Sequence, residues 1–295
     1  MIDNLRGSLL MVASMAGFAL EDVLIKQMAA ALPIGQVLAL LGCGGTVIFS
    51  ALALVMGKPL VSRALLAPSV VLRNLGEVIG SVTFVLALVL TTLSSASAIL
   101  QATPLVVTLG AALFLRESVG WRRWTAIAFG LAGVLLVIQP GLAGFTPASL
   151  LAVVAVVALA VRDLCSRAVP QSIASVQLAA WAFMSIIPAG LALMLAMDTP
   201  PAVPAAPDVV RLGAVFGISA LAYYALVAAT RIGEISAVVP FRYTRLVFAM
   251  FLGHLIFAER PDPLMLCGAA LIVGTGLYTI WRDAVRAAAA HEYAT

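Results

Sequence analysis

The octets Ala19-Leu20-Glu21-Asp22-Val23-Leu24-Ile25-Lys26 and Ala160-Val161-Arg162-Asp163-Leu164-Cys165-Ser166-Arg167 carry the same device at two places in the chain. In each, an aspartate is followed four residues later by a base, and on a helix those positions share a face. The separation, 163 − 22 = 141 residues, recurs nearby: Ser8-Leu9-Leu10 matches Ser149-Leu150-Leu151, and Gln36 faces Gln177. One residue out of step, Leu115-Arg116-Glu117 faces Phe257-Ala258-Glu259. The chain therefore reads as two related halves, residues 1–141 and 142–283, followed by a short polar tail at 284–295.

Composition says what solvent those halves live in. Hydrophobic residues make up 63% of the 295 and charged residues 10%, with a mean hydropathy of +1.13. A soluble domain is about 45–50% apolar and about 25% charged, so these charges are too few to cover a water-facing surface. The reading is an all-α integral membrane protein in contact with the lipid bilayer. Cys43, Cys165 and Cys267 are odd in number, follow no ligand spacing and sit in apolar runs, which reads as buried small hydrophobes. The net charge of +4 reads as basic cytoplasmic loops and not as a nucleic-acid surface. Gly42-Cys43-Gly44-Gly45 lacks the strand-to-helix setting of a nucleotide loop, and His254 and His291 stand apart, so neither a metal nor a cofactor is expected. No catalytic constellation appears, and the chain is not read as an enzyme.

A spanning helix needs about 20 mostly apolar residues. Ten candidate spans follow, at 7–28, 34–56, 69–91, 94–115, 121–139, 147–167, 172–196, 209–230, 234–257 and 263–282. Gly57-Lys58-Pro59, Gln139-Pro140-Gly141 and the proline-rich 198–208 segment punctuate them. Pro104, Pro188 and Pro240 fall inside spans, where each is expected to kink its helix and free a carbonyl. Trp121, Trp124 and Trp281 stand at span ends, where amphipathic rings settle at the interface. Five spans per half make the halves insert in opposite directions. With the N-terminus inside, the inside segments hold Arg6, Lys58, Arg63, Arg116, Arg122, Arg123, Arg167, Arg231, Arg282 and Arg286, against Lys26, Arg211 and Arg260 outside. That bias places both termini in the cytoplasm. Inverted repeats are a hallmark of secondary transporters.

The chain resembles the drug/metabolite transporter superfamily, EamA type, over essentially its whole length. The resemblance is carried by Asp22/Lys26 and Asp163/Arg167, by Ser95-Ala96-Ser97-Ala98 running to Pro104 and Glu117, and by Gly130 and Gly133. The second copy runs from Glu234-Ile235-Ser236-Ala237 to Glu259, Gly268 and Gly274. It departs from the first in having Leu246 where the first has Pro104, with its own proline earlier, at Pro240. The resemblance implies alternating access through a central cavity lined by helices one, three, four, six, eight and nine. It is most similar to YddG-type exporters of aromatic and other, mainly neutral, amino acids. A multi-pass protein of the bacterial inner membrane that works as a monomer on a small-molecule substrate is implied. Other cargo (a nucleoside, a cationic drug, a sugar conjugate) and, further off, a channel or membrane enzyme are the alternatives.

Charges at membrane depth cost at least about 2.5–3.5 kcal/mol at a helix centre, so each needs a partner or a purpose. Arg73 and Glu77 are spaced as an i,i+4 pair, and Glu77 is a candidate proton or ammonium partner. Arg242 and Arg245 share a face and either bind a substrate carboxylate or tie the ninth span to an acid such as Glu77 or Asp22. Asp22–Lys26 and Asp163–Arg167 read as anchoring or gating pairs at helix ends, and Glu21 and Arg162 as opposite charges at one repeat position. Rings and amides on the helices implied to line the cavity, Phe18, Phe84, Gln101, Thr103, Tyr223, Tyr224 and Tyr243, complete the substrate-binding candidates. Trp181 reads as packing or lipid-facing. Gly76 with Gly80 and Gly213 with Gly217 permit close helix approach, within the bundle or in a dimer.

Overall fold

The computed structural model describes residues 2–114, 120–142, 145–170, 172–232 and 235–292. The motif residues Arg116, Glu117 and Glu234 lie outside them. The described residues form α1 (Ile2–Met28), α2 (Ile34–Val55), α3 (Pro68–Leu90), α4 (Leu93–Leu100), α5 (Thr103–Phe114), α6 (Trp121–Ile138), α7 (Ser149–Ser166), α8 (Ser175–Ala196), α9 (Ala206–Ile232), α10 (Ile235–Val238), α11 (Thr244–Phe257) and α12 (Pro263–Glu292). Short 3-10 turns occupy Arg63–Leu66 and Val239–Tyr243. Among the described residues nine helices are long and apolar enough to cross a membrane, α4 and α5 counting together as Leu93–Phe114.

The expected ninth span, at 234–257, is interrupted. Pro240 has no N–H and its ring crowds the carbonyl one turn back, and the chain tightens there into the Val239–Tyr243 turn, leaving α11 with 14 residues. Pro104 breaks the fourth span in the same way: α4 stops at Leu100, the carbonyl that a residue-104 N–H would have met. The Thr103 hydroxyl donates to that carbonyl at 2.6 Å. Pro188 lies inside α8, which continues past it.

Packing divides the chain into two compact units, each drawing on both halves of the sequence: Met1–Val23, Thr92–Thr146 and Gly217–Thr295 form one, Leu24–Thr91 and Pro147–Phe216 the other. In the second unit α2 packs on α8, and α3 on α7 and α8. The repeat-related glutamines do equivalent work there. Gln36, in the first turn of α2, donates to the Ala202 carbonyl at 2.6 Å and accepts from the Ala202 N–H at 2.8 Å. Gln177, in the first turn of α8, donates to the Pro59 carbonyl at 2.6 Å. Each glutamine thus holds the loop that follows the other's helix. Trp181 donates to the Leu60 carbonyl at 2.7 Å, so it is a loop anchor as well as packing.

Small residues set the close contacts. In the second unit a Cβ on Gly76 would stand 2.7 Å from the Ala158 carbonyl, and one on Gly80 the same distance from the Leu159 side chain. Nothing lies within 4 Å of the corresponding point on Gly213 or Gly217. In the first unit α6 lies along α12, and Gly133 and Gly268 face each other across that seam. Asp262 joins the far ends of these two helices, accepting from the Met265 N–H at 2.8 Å and from the Gln139 amide. Those donors hold its carboxyl below the usual aspartate range. Cys43 and Cys267 are exposed, against the expectation of burial, because an apolar residue on a membrane helix needs no core to be stable.

A Cβ on Gly133 would come within 2.8 Å of the Gly268 carbonyl, a backbone atom that cannot swing away. Gly133→Ala is therefore expected to destabilise the protein by about 1–3 kcal/mol, seen as a lower thermal midpoint in detergent. Gly213→Ala, with open space around it, is the matched control and should leave the midpoint in place.

Candidate functional site

The first unit carries a polar knot built from α1 and α11. The Arg245 guanidinium donates to both carboxylate oxygens of Asp22, from Nη2 at 2.8 Å and 3.0 Å and from Nε at 3.3 Å. Asp22 is 3% exposed, while the Arg245 side chain is half-buried over it. The Phe18 ring, one turn before Asp22, lies 5.5 Å below the guanidinium and packs with Met11, Met15, Ala229 and Val238. A cation over an aromatic face adds about 1 kcal/mol when partly exposed. Of the two roles open to Arg245 in the sequence, the geometry shows the tie to Asp22.

Glu21 is half-buried beside this pair and feels the charges of both Asp22 and Arg245. The Ser219 hydroxyl of α9 faces it without completing a hydrogen bond of good geometry. Among the described residues Glu21 has no ion-pair partner of its own. Close by in sequence, α1 is bound to α9 through Ser14, whose hydroxyl donates to the Ala222 carbonyl at 2.7 Å.

Tyr243 is buried with its hydroxyl unsatisfied and seated on Gly276, where any side chain would collide with it. Gln101, at the break between α4 and α5, donates to the Arg242 carbonyl at 3.2 Å. Arg242 itself is exposed, as are Tyr223 and Tyr224 on α9. Thr103 serves the broken backbone, as described above.

In the second unit the remaining candidates form a chain of charges. Glu77 accepts from Arg73 at 2.9 Å on its own helix and from Arg162 of α7 at 3.1 Å. Arg162 also holds Asp163, at 2.8 Å. The expected helix-end pairs are thus re-partnered: Asp163 goes to Arg162, Asp22 to Arg245, and Lys26 donates to the carbonyls of Leu88, at 2.8 Å, and Thr91. Asp22 is taken by a guanidinium from another helix, α11, and Asp163 by the residue just before it on its own helix. Arg167 stands exposed at the end of α7, and Phe84 is half-buried on α3.

Glu259 is the residue whose role the sequence left unassigned. Its carboxylate accepts from the Leu93 N–H at 2.6 Å, the Ser94 N–H at 3.0 Å and the Ser94 hydroxyl at 2.7 Å. It caps α4, where free N–H groups and the positive helix end both favour an anion. Gly253 leaves the room, since a Cβ there would stand 2.5 Å from Oε2. The visible signal was an acid at matching places near the ends of both halves.

The EamA-like transporter family model matches residues 5–139 and again 146–281. The chain belongs to the EamA-like transporter family. It is a multi-pass membrane transporter. An S-adenosylmethionine uptake transporter of Rickettsia prowazekii is 25% identical over 224 residues, covering 75% of this chain and 74% of that one. Riboflavin transporters of Vibrio cholerae and Rhizobium johnstonii are 31% identical over 192 residues and 29% identical over 191. They cover 60% and 65% of this EamA chain, and 58% and 62% of their own lengths. A solved crystal structure shares the fold at a TM-score of 0.56 and 21% identity, over 90% of this chain and 94% of that one.

Removing the Glu259 carboxylate orphans two buried N–H groups and a hydroxyl. Glu259→Ala is expected to cost about 3 kcal/mol, and Glu259→Gln clearly less because its amide oxygen still accepts. At the other knot Asp22→Asn and Arg245→Met each leave a buried group uncompensated and should cost about 3–5 kcal/mol. The double variant should cost less than the two together, which a double-mutant cycle of thermal unfolding measures.

Proposed function

We propose that this chain is a secondary transporter for small metabolites that carry an amino-acid group, exposing one substrate site alternately to the two membrane faces. The observation that carries this reading is the charge count at Glu21. In the second unit Arg162 is balanced by Glu77 and Asp163. The repeat places Glu21 opposite Arg162, and Ser219 where the other half has Glu77, at offsets of 162 − 21 = 141 and 219 − 77 = 142. A neutral hydroxyl thus stands where an ion-pair partner would, and two carboxylates share the one Arg245 guanidinium. An ammonium group supplies the missing positive charge, and a carboxylate is suited to Arg242, exposed on the turn before α11.

S-adenosylmethionine, the cargo named for the Rickettsia relatives, carries that same amino-acid group beside a sulfonium cation. Export of aromatic and neutral amino acids, as by YddG-type exporters, falls in the same class. The riboflavin relatives favour a second reading, a flat uncharged ring held by the exposed aromatics of α9. The reciprocal Gln36 and Gln177 contacts support two halves, 1–141 and 142–283, of opposite orientation. The arginine and lysine distribution supports cytoplasmic termini, and the protein acts as a monomer, without cofactor or catalysis.

Uptake into proteoliposomes of labelled S-adenosylmethionine, neutral and aromatic amino acids and riboflavin, with and without a proton gradient, tests this. Saturable flux of an amino-acid-bearing cargo is expected. Glu21→Gln should weaken its apparent affinity by roughly ten-fold, the scale of one charge-assisted contact, and spare an analogue lacking the amine. Movement of riboflavin or a nucleoside alone would show the cargo class to be wrong.

A further inference from the structure

Glu21 lies on α1 well before the end of the span at Met28, roughly 10 Å inside it. Among the described residues the charged groups acting on it are Asp22, its neighbour on α1, and Arg245 of α11. Arg245 is already engaged by both oxygens of Asp22. One guanidinium cannot neutralise two carboxylates, whatever else it touches, so an ionised Glu21 leaves this knot with an excess of negative charge. From α9 the group facing Glu21 is the Ser219 hydroxyl, whose buried oxygen has no hydrogen-bond partner. A hydroxyl donates to a carboxylate and equally accepts from a carboxylic acid, so Ser219 suits Glu21 in either protonation state. The equivalent place in the second unit offers no such choice, since Arg162 there is closed by Glu77 and Asp163.

A carrier that works by alternating access must also complete its cycle without cargo or with something in the cargo's place. An ionised Glu21 without an ammonium beside it would strand a charge at membrane depth, making the empty return rarer by on the order of a hundred-fold. With Glu21 as the cargo's ammonium partner, as proposed above, we infer that a proton replaces that ammonium on the Glu21 carboxylate for the return, so that one proton is exchanged for one cargo molecule.

On the side where cargo leaves, its ammonium departs intact and a proton from water adds to the carboxylate. On the other side the carboxylic acid gives that proton back to water as the next ammonium binds. Glu21 is half-buried and not sealed, so both cations reach it. Because they need the same carboxylate, each excludes the other, and the coupling at this site is antiport and not symport. A zwitterionic cargo then moves one net charge per cycle, and a cargo with an additional cation moves none.

Proteoliposomes of the intact protein test this with the membrane potential clamped at zero by potassium and valinomycin. Counterflow, in which labelled S-adenosylmethionine or a neutral amino acid exchanges for the same compound inside, first identifies a cargo with no proton movement. With the lumen one pH unit more acid, that cargo should accumulate inside about ten-fold, as one-for-one exchange requires. A trapped pH dye should report the lumen turning alkaline as it enters. Glu21→Gln should retain counterflow at higher cargo concentration and lose both the accumulation and the dye signal. Wild-type counterflow without accumulation overturns the inference and leaves the cargo reading standing, and this measurement needs no variant to fold. Accumulation on the alkaline side, or equal accumulation by Glu21→Gln, overturns it as well. Absence of counterflow for every amino-acid-bearing compound overturns the cargo reading and the inference with it.

Discussion

Inside a membrane there is no water to complete a broken hydrogen bond or to shelter a charge, so this fold stands on the protein satisfying its own polar groups. The fourth span shows the constraint most fully. Pro104 interrupts it, and the freed Leu100 carbonyl is met by the Thr103 hydroxyl one residue before the proline. The start of that span is met from the other half of the chain, by the Glu259 carboxylate on two N–H groups and a hydroxyl. The broken span is stable because its freed carbonyl and its first N–H groups each find a partner within the chain.

The same constraint explains how charges are distributed between the two compact units. Arg73, Glu77, Arg162 and Asp163 close on one another across α3 and α7, consuming each acid and base in turn. On α1 and α11, Asp22 and Arg245 close as a pair and Glu21 is left beside them. The repeat makes the difference meaningful, because the position that holds Glu77 in one half holds Ser219 in the other. The scaffold likeness is seen in Gln36 and Gln177, which perform one task at two places.

Much of the fold was legible in the chain because lipid imposes a simple rule on composition. The bounds of α2, α3, α6 and α8 fall within a few residues of where apolar runs and breakers place them. The ninth span was the exception: its apolar run is continuous, and only Pro240 among the local signals marked where it would tighten into a turn. The cysteines were misread for a related reason, since apolar surroundings in sequence do not mean burial when lipid lies outside. The site was less legible. Asp22 and Lys26 sit at the spacing of a helical pair, yet a guanidinium from a helix more than two hundred residues away takes the aspartate.

Composition by itself determined a membrane-embedded helical protein, because hydrophobicity is a property of short stretches of chain. Which acid meets which base was decided only by tertiary structure. Arg245 could reach several carboxylates by type, and Glu259 had no local reason to seek residues 93 and 94. Their partners come from helices distant in sequence, and the energy of each contact depends on depth, angle and the absence of water, none of which a linear spacing encodes.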